Sequence, residues 1–201
     1  VTLAVADGLS TEWSQLAAVS SVAAVTARHV ADLMQLRAET TPHWLTMLGV
    51  PPAWRTGHLA DDTVEPSRIA VCGQQSDGGW DGCETINVFG FTGIPPDKVI
   101  HSNADCTLRD LAALDITTHV VQTPPLPGAI AVRSSGYFTV SGLLLWSQYS
   151  TYVMGSEAPG QGRLIEQAVF IEAGCQARLG GDVAELTQAV YQAFATLATR
   201  S

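Results

Sequence analysis

Apolar and polar positions alternate with a period of two through most of the second half of the chain. ITTHVVQ (116–122), GAIAVRSSGYFTVSG (128–142) and LLLWSQYSTYVMG (143–155) are β-branched or aromatic-rich runs, separated by PPLPG and SG and followed by GSEAPGQG. Such a pattern predicts an antiparallel meander. LIEQAVFIEAGCQARL (164–179) supplies one more strand, on which Glu166 and Glu172 point away from the core. Two earlier strands are predicted at 68–73 and 84–91, flanking the Gly-rich GQQSDGGWDG, and HWLTMLGV (43–50) reads as the first strand.

Three segments follow a helical period instead. Trp13, Leu16, Ala17, Ala24, Ala27, Ala31 and Met34 predict a helix from Ser10 or Thr11 to about Arg37, ended by ETTPHW because Pro42 disfavours helix in the residue before it. Val99, Ile100, Asn103, Cys106 and Leu111 predict a helix over 96–113, with Pro95 and Pro96 in or before its first turn. After a Gly180-Gly181 turn, Asp182 and Glu185 form a capping box for a terminal helix that buries Leu186, Val190, Phe194 and Leu197. Residues 56–67, TGHLADDTVEPS, are a polar loop. The order of elements is that of an α+β domain with helices on the faces of an antiparallel sheet. It divides into an N-terminal helical extension (1–42) and a domain (43–201).

Composition narrows the function. With 46% hydrophobic and 14% charged residues in 201, the chain has the apolar content for one ordinary core. The net charge of −9, with ten scattered basic residues of which Lys98 is the only lysine, argues against nucleic acid as a partner. No stretch approaches the roughly 18–20 apolar residues of a membrane span. LAAVSSVAAVTA (16–27) lacks the basic segment of a signal peptide. Four cysteines without a CxxC pair do not have zinc spacing; the hairpin reading pairs Cys72 with Cys83 and leaves Cys106 of the helix to pair with Cys175 of the late strand, which implies an oxidising, extracytoplasmic compartment, the alternative being four buried free thiols in a cytosolic protein.

Candidate chemistry is sparse. No Gly-x-Ser-x-Gly elbow is present, and Ser134-Ser135-Gly136 lies in a strand. His58, Asp61 and a serine assemble into a hydrolase site only if the fold brings them together, and with five histidines and many serines that match is nearly free. His58, Asp61 and Asp62, or His101 and Asp105, offer cation ligands that a solvated surface explains equally well. GQQSDGG has neither the lysine nor the helix of a phosphate loop. No cofactor or metal is expected. The stronger feature is LLLW (143–146): an apolar cleft between this strand and the 96–113 helix, with Leu144, Trp146, Tyr149 and Tyr152 as candidate ligand-binding residues, suits an acyl chain or glycolipid.

LTMLGVPPAW (45–54), FTGIPPDKVI (91–100), LPGAIAVRSSGYFTVSGLLLWSQYSTYVM (126–154) and the terminal helix resemble, in order and spacing, the mycobacterial LpqN/LpqT-type exported lipoproteins, over residues 43–197. The resemblance implies a Mog1/PsbP-like α/β/α sandwich with a central antiparallel sheet. It also implies a non-enzymatic protein, secreted or associated with the cell envelope, that binds a lipid, a glycolipid or an envelope protein. It makes Trp54, Thr92, Gly93, Pro127, Gly128, Gly136 and Tyr137 structural marks, none of them catalytic. The N-terminal helix, the four cysteines and the lack of a lipidation cysteine before that helix depart from the family's pattern. GWDGC (79–83) resembles instead the disulfide-bonded extracellular sensor domains of PknH-like mycobacterial kinases, so a sensor-type ligand-binding domain and a secreted hydrolase using a histidine of the 56–67 loop stand as the alternatives.

Overall fold

The computed structural model describes residues 2–3, 19–36, 42–59, 66–74, 79–126 and 128–200. In chain order these form β1 (Thr2–Leu3), α1 (Val22–Thr26), β2 (Ala31–Gln35), α2 (His43–Met47), β3 (Trp54–Leu59), β4 (Arg68–Gln74), β5 (Trp80–Thr92), α3 (Asp97–Ser102), α4 (Cys106–Asp110), β6 (Leu114–Val120), β7 (Ala129–Val140), β8 (Leu143–Met154), β9 (Gly162–Glu172), a 3-10 turn (Ala173–Cys175) and α5 (Gln176–Arg200). The strands make one nine-stranded sheet ordered β1-β3-β4-β5-β9-β8-β7-β6, with β2 added beside β5. All pairings are antiparallel except that of β1 with β3.

The long meander is the part that the period-two pattern anticipates most closely. β7 and β8 pair without a break from Ala129↔Met154 to Val140↔Leu143. Ser141 and Gly142, both with positive φ (50° and 79°), close that hairpin as a two-residue turn whose twist matches the strands it joins. At the sheet's end, β6 pairs with β7 around a bulge between Leu114 and Thr117, where Asp115 has φ 52°.

Alternation then sorts side chains onto two faces. On one, Ile86, Val88, Ala131, Tyr152 and Ile165, and further along Trp54, Ala70, Cys72, Val169 and Ile171, pack against α5 through its Leu179, Val183, Leu186, Val190 and Phe194. On the other, Phe91, Ile130, Val132, Val153 and Leu164 pack against Val22 and Ala23 of α1, Ile100 of α3 and Cys106 of α4. Helices therefore cover both faces of the sheet, as the α+β sandwich requires. Between the two apolar clusters under α5 lies a polar trio: Glu84, fully buried, accepts from Gln167 Nε2 at 2.7 Å and faces Arg68 Nη2 at 3.4 Å. Arg68 also donates to the carbonyls of Leu48 and Gly49. Burial raises the Glu84 pKa, and Arg68 and Gln167 offset only part of that.

Several sequence expectations are corrected. Within the segment expected as one helix to Arg37, the described residues form only the short α1, and 31–35 form β2, hydrogen-bonded to β5 through Ala31↔Thr92 and Met34↔Gly90; the proposed start at 10–11 lies outside the described residues. His43–Met47 is a helical turn following Pro42, not a strand. Residues 54–59 of the expected turn and polar loop are β3, paired with β4. The 96–113 helix breaks at Asn103–Asp105 into α3 and α4. Most notably, α5 begins at Gln176 and runs straight through Gly180-Gly181. Two mid-helix glycines cost about 1 kcal/mol each relative to alanine. Burial of Leu179, Leu186 and Phe194 returns roughly 1.5–3 kcal/mol apiece, so tertiary packing overrides the local turn signal. Asp182, freed from capping, accepts instead from Trp54 Nε1 at 3.0 Å.

The expected disulfides are also absent: all four thiols are free. Register supplies the reason for the first pair. Cys72 is opposite Gly82 while Cys83 is opposite Val71, so the two side chains leave the sheet on opposite faces. Cys106 lies on the α1 side, its thiol directed to the Ser20 carbonyl at 3.5 Å, and Cys175 packs on the α5 side.

Glu166 does not point to water. Its Oε1 accepts from the Ala23 amide at 2.9 Å, while Ser21 Oγ accepts from Ala24, so β9 supplies one of the N-terminal caps of α1. Burial pushes the Glu166 pKa up to about 7, against the lowering effect of the Ala23 and Val22 amides. Because the folded-state value lies above the unfolded one, the native state holds the extra proton, and stability falls as pH rises from about 4.5 to about 7.

Two measurements check this fold. Thermal melts of wild type and Glu166→Gln between pH 4.5 and 8 should diverge, with wild type losing roughly 1–3 kcal/mol relative to the variant as pH rises through that window. Parallel curves would remove the raised pKa of Glu166. Gly162 lies beneath Phe91, whose ring carbons stand 2.6 Å from where a Cβ would be. Gly162→Ala should lower stability in urea by about 1–3 kcal/mol, and Phe91→Leu should relieve only the ring's share of that loss in the double variant, because the Phe91 carbonyl oxygen also stands 2.8 Å from the added Cβ.

Candidate functional site

The meander and the first half of α5 diverge at one end of the sheet and leave a groove of about 660 Å³. Arg133 of β7 and Trp146 and Gln148 of β8 form one wall. Gln176, Ala177, Gly180, Val183, Ala184, Thr187 and Gln188 of α5 form the other. Spacing of three and four on the helix puts its members on one flank, and even spacing on β8 does the same for Trp146 and Gln148. Register then places Arg133 opposite Ser150 and Tyr137 opposite Trp146 on the same face.

The walls are fixed by hydrogen bonds. Gln148 Nε2 donates to Thr187 Oγ1 at 2.9 Å, and Thr187 Oγ1 donates to the Val183 carbonyl at 2.8 Å, tying strand to helix at the groove floor. Tyr137 OH donates to Gln176 Oε1 at 2.7 Å, and Arg133 Nε donates to Ser150 Oγ at 3.2 Å. The lining thus offers amides, a guanidinium and an indole, and among the described residues it contains no carboxylate, imidazole or thiol. That inventory suits recognition of a hydroxylated or anionic group. It supplies no acid–base pair. A second hollow of about 420 Å³, lined by His43, Trp44, Met47, Ala193, Thr196 and Leu197, lies on the opposite flank of α5.

The four residues proposed from sequence separate by parity. Trp146 lines the groove, and Leu144, two residues away on the same face, is exposed near the hairpin turn together with Leu143. Leu114, also exposed, pairs with Tyr137 and so continues the row of Trp146. Tyr152 is fully buried against Phe194 at 5.3 Å between ring centroids, and it belongs to the core. Tyr149 faces the opposite side and meets Phe170 edge-on. Burial raises its pKa. The groove lies between β8 and α5, whereas the cleft expected from sequence lies between β8 and the 96–113 segment, which packs on the other face of the sheet. Arg133, Gln148, Gln176 and Gln188 were missed because each alone is an ordinary surface residue type; only the tertiary pairing of strand and helix collects them.

Of the alternative hydrolase residues, His58 lies on β3, and Asp61 and Asp62 lie outside the described residues. His119 on β6 pairs with Arg133, and His101 ends α3. Near the start of α5, ligand-type atoms of Asp81, Glu172 and Cys175 fall within 4.8 Å of one another. Arg178 occupies that cluster as its cation, with Nη2 2.6 Å from Asp81 Oδ2.

No protein-family model and no curated protein sequence matches the chain. Among solved structures, it is similar to LpqN, involved in cell envelope biogenesis of Mycobacterium tuberculosis, with a TM-score of 0.62 and 15% identity over 84% of this chain and 95% of that one. A Bacteroides thetaiotaomicron structure aligns at TM-score 0.34 and 15% identity over 63% of this chain and 38% of its own, too low to carry an argument. The likeness to LpqN, at this identity, is one of fold: a mixed α+β chain built on a large antiparallel sheet.

Proposed function

We propose that this chain is an exported, non-enzymatic cell-envelope protein whose groove between α5 and the β7–β8 hairpin binds the head of a glycolipid. The observation that carries the reading is the lining itself. Trp146 offers a broad apolar ring, and Arg133, Gln148, Gln176 and Gln188 surround it with donors and acceptors, the combination that holds a sugar by stacking and hydrogen bonds. Exposed Leu114, Leu143 and Leu144 continue from this end of the sheet and provide apolar surface for the lipid portion. No helix among the described residues is long and apolar enough to cross a membrane. Contact with lipid would then run through this groove and its rim.

Support for the compartment comes from the fold likeness to an envelope-biogenesis protein and from the acidic composition, which does not favour nucleic acid. Residues 43–201 act as the binding domain in this reading, with α1 and β2 of the 1–42 extension docked onto the sheet. The absence of carboxylate, imidazole and thiol from the groove lining favours binding over hydrolysis at this site.

Flotation with phosphatidylcholine vesicles, plain or doped with a glycosyl diacylglycerol, tests the proposal. The chain should float with the doped vesicles only, and Trp146→Ala should weaken that binding by about tenfold when compared below the variant's own melting temperature, which falls because Trp146 also packs on the cluster of Ile171 and Leu179. Equal recovery with plain vesicles, or full retention by Trp146→Ala, would discard a sugar-reading groove.

A further inference from the structure

We propose that Cys72 and Cys175 form an intramolecular disulfide site, closed by thiol–disulfide exchange with a low-molecular-weight organic disulfide. The proposal does not depend on the ligand of the groove. Of the four thiols, Cys83 and Cys106 stand on the face of the sheet opposite α5, whereas Cys72 and Cys175 join one apolar cluster with Trp54, Ile171 and Leu179. The Cys72 sulfur lies over Gly82, 3.0 Å from where a Cβ of that residue would be, and the same empty position is met by Ile171 Cδ1 at 2.8 Å. Glycine at 82 is what leaves room for the sulfur. One residue beyond Ile171 the strand ends, and the 3-10 turn Ala173–Cys175 folds the chain back over this end of the sheet. Cys175 Sγ arrives within 4.8 Å of the carboxylate of Asp81, the neighbour of Gly82 in sequence. The two thiols therefore lie on one side of the sheet in one apolar cluster, Cys72 on β4 and Cys175 on the chain after β9.

Their surroundings assign an order to the chemistry. Arg178 Nη2 donates to Asp81 Oδ2 at 2.6 Å, which sets a half-exposed guanidinium near the outer sulfur together with the carboxylates of Asp81 and Glu172, within 4.8 Å of it. Cys72 is buried, and burial first and Asp81 second push its thiol up to about 11. Cys175 is half-buried where Cys72 is buried, so an external disulfide reaches it first, which makes Cys175 the attacking group and Cys72 the resolving one. In the first step the Cys175 sulfur, giving up its proton, attacks RSSR to form Cys175–S–SR, and RS⁻ leaves and takes up a proton. In the second, the Cys72 sulfur attacks Cys175 Sγ, the second RS⁻ departs and takes the Cys72 proton, and Cys72–S–S–Cys175 remains. Two thiols are oxidised and one organic disulfide is reduced to two thiols. The cross-link ties β4 to the residue before Gln176, so it fixes the beginning of the helical groove wall.

The test is incubation of the full chain with glutathione disulfide under native conditions, alkylation of remaining thiols and peptide mapping without reduction. Wild type should show a Cys72–Cys175 linkage with Cys83 and Cys106 alkylated, and the Cys83→Ser/Cys106→Ser variant should form the same linkage and gain roughly 5–10 °C in Tm on oxidation. Adding Cys72→Ser should arrest the reaction at one glutathione on Cys175. A bond through Cys83 or Cys106, recovery of both Cys72 and Cys175 as alkylated thiols, or a mixed disulfide at Cys175 that persists with Cys72 present would overturn the assignment, and the wild-type map decides it even where a variant fails to fold.

Discussion

The ladder between β5 and β9 is the constraint on which the structure turns. Ten consecutive antiparallel pairs, from Gly82↔Ile171 to Phe91↔Gly162, hold the two central strands in one register. A one-residue slip would exchange every side chain between the faces. That register puts Gly162 under the Phe91 ring and keeps Gly82 beneath Cys72 and Trp54, so each close approach is made where there is no Cβ to obstruct it. It also sends Ile86, Val88, Ile165 and Val169 towards α5 while Phe91 and Leu164 face α1 and α3, giving two cores from one sheet.

The same ladder carries polar groups inward on both sides. On the α5 side, Glu84 is held by Arg68 and Gln167 between two apolar clusters. Such a trio is weak evidence of net stability, since desolvation offsets most of the attraction, but a shifted register would strand a buried charge. On the other side, Glu166 replaces water at the first amides of α1 and thereby anchors a five-residue helix too short to be stable alone.

What was legible in the sequence follows from locality. The β7–β8 hairpin could be read because alternation and a Ser-Gly turn are encoded by neighbouring residues. The α1–β2 segment could not, because alanines spaced by three and four satisfy a helix while β2 is held by pairing with β5, more than fifty positions later. Gly180-Gly181 read locally as a turn, and only the cluster around Leu179 and Leu186 shows why the helix continues. The site divides similarly. Trp146 could be singled out as a large aromatic on an alternating strand, yet parity alone could not say which helix it faces, and Tyr152, three repeats of the pleat further on the same side, is sealed under Phe194. Arg133 and the α5 glutamines become a binding surface only after β8 and α5 are packed together.

The bulge in β6 has a consequence for how copies of this chain meet. β6 is the last strand of the sheet, and Leu114 and Val120 on it are exposed, so a flat ladder there would offer a second molecule a template for strand addition. Asp115, in left-handed conformation within the bulge, interrupts the regular spacing of outward amides and carbonyls and places an exposed negative charge among them. The irregularity acts as a guard against edge-to-edge aggregation, and it lets the leucines near the groove remain exposed without turning that border of the sheet into an assembly surface.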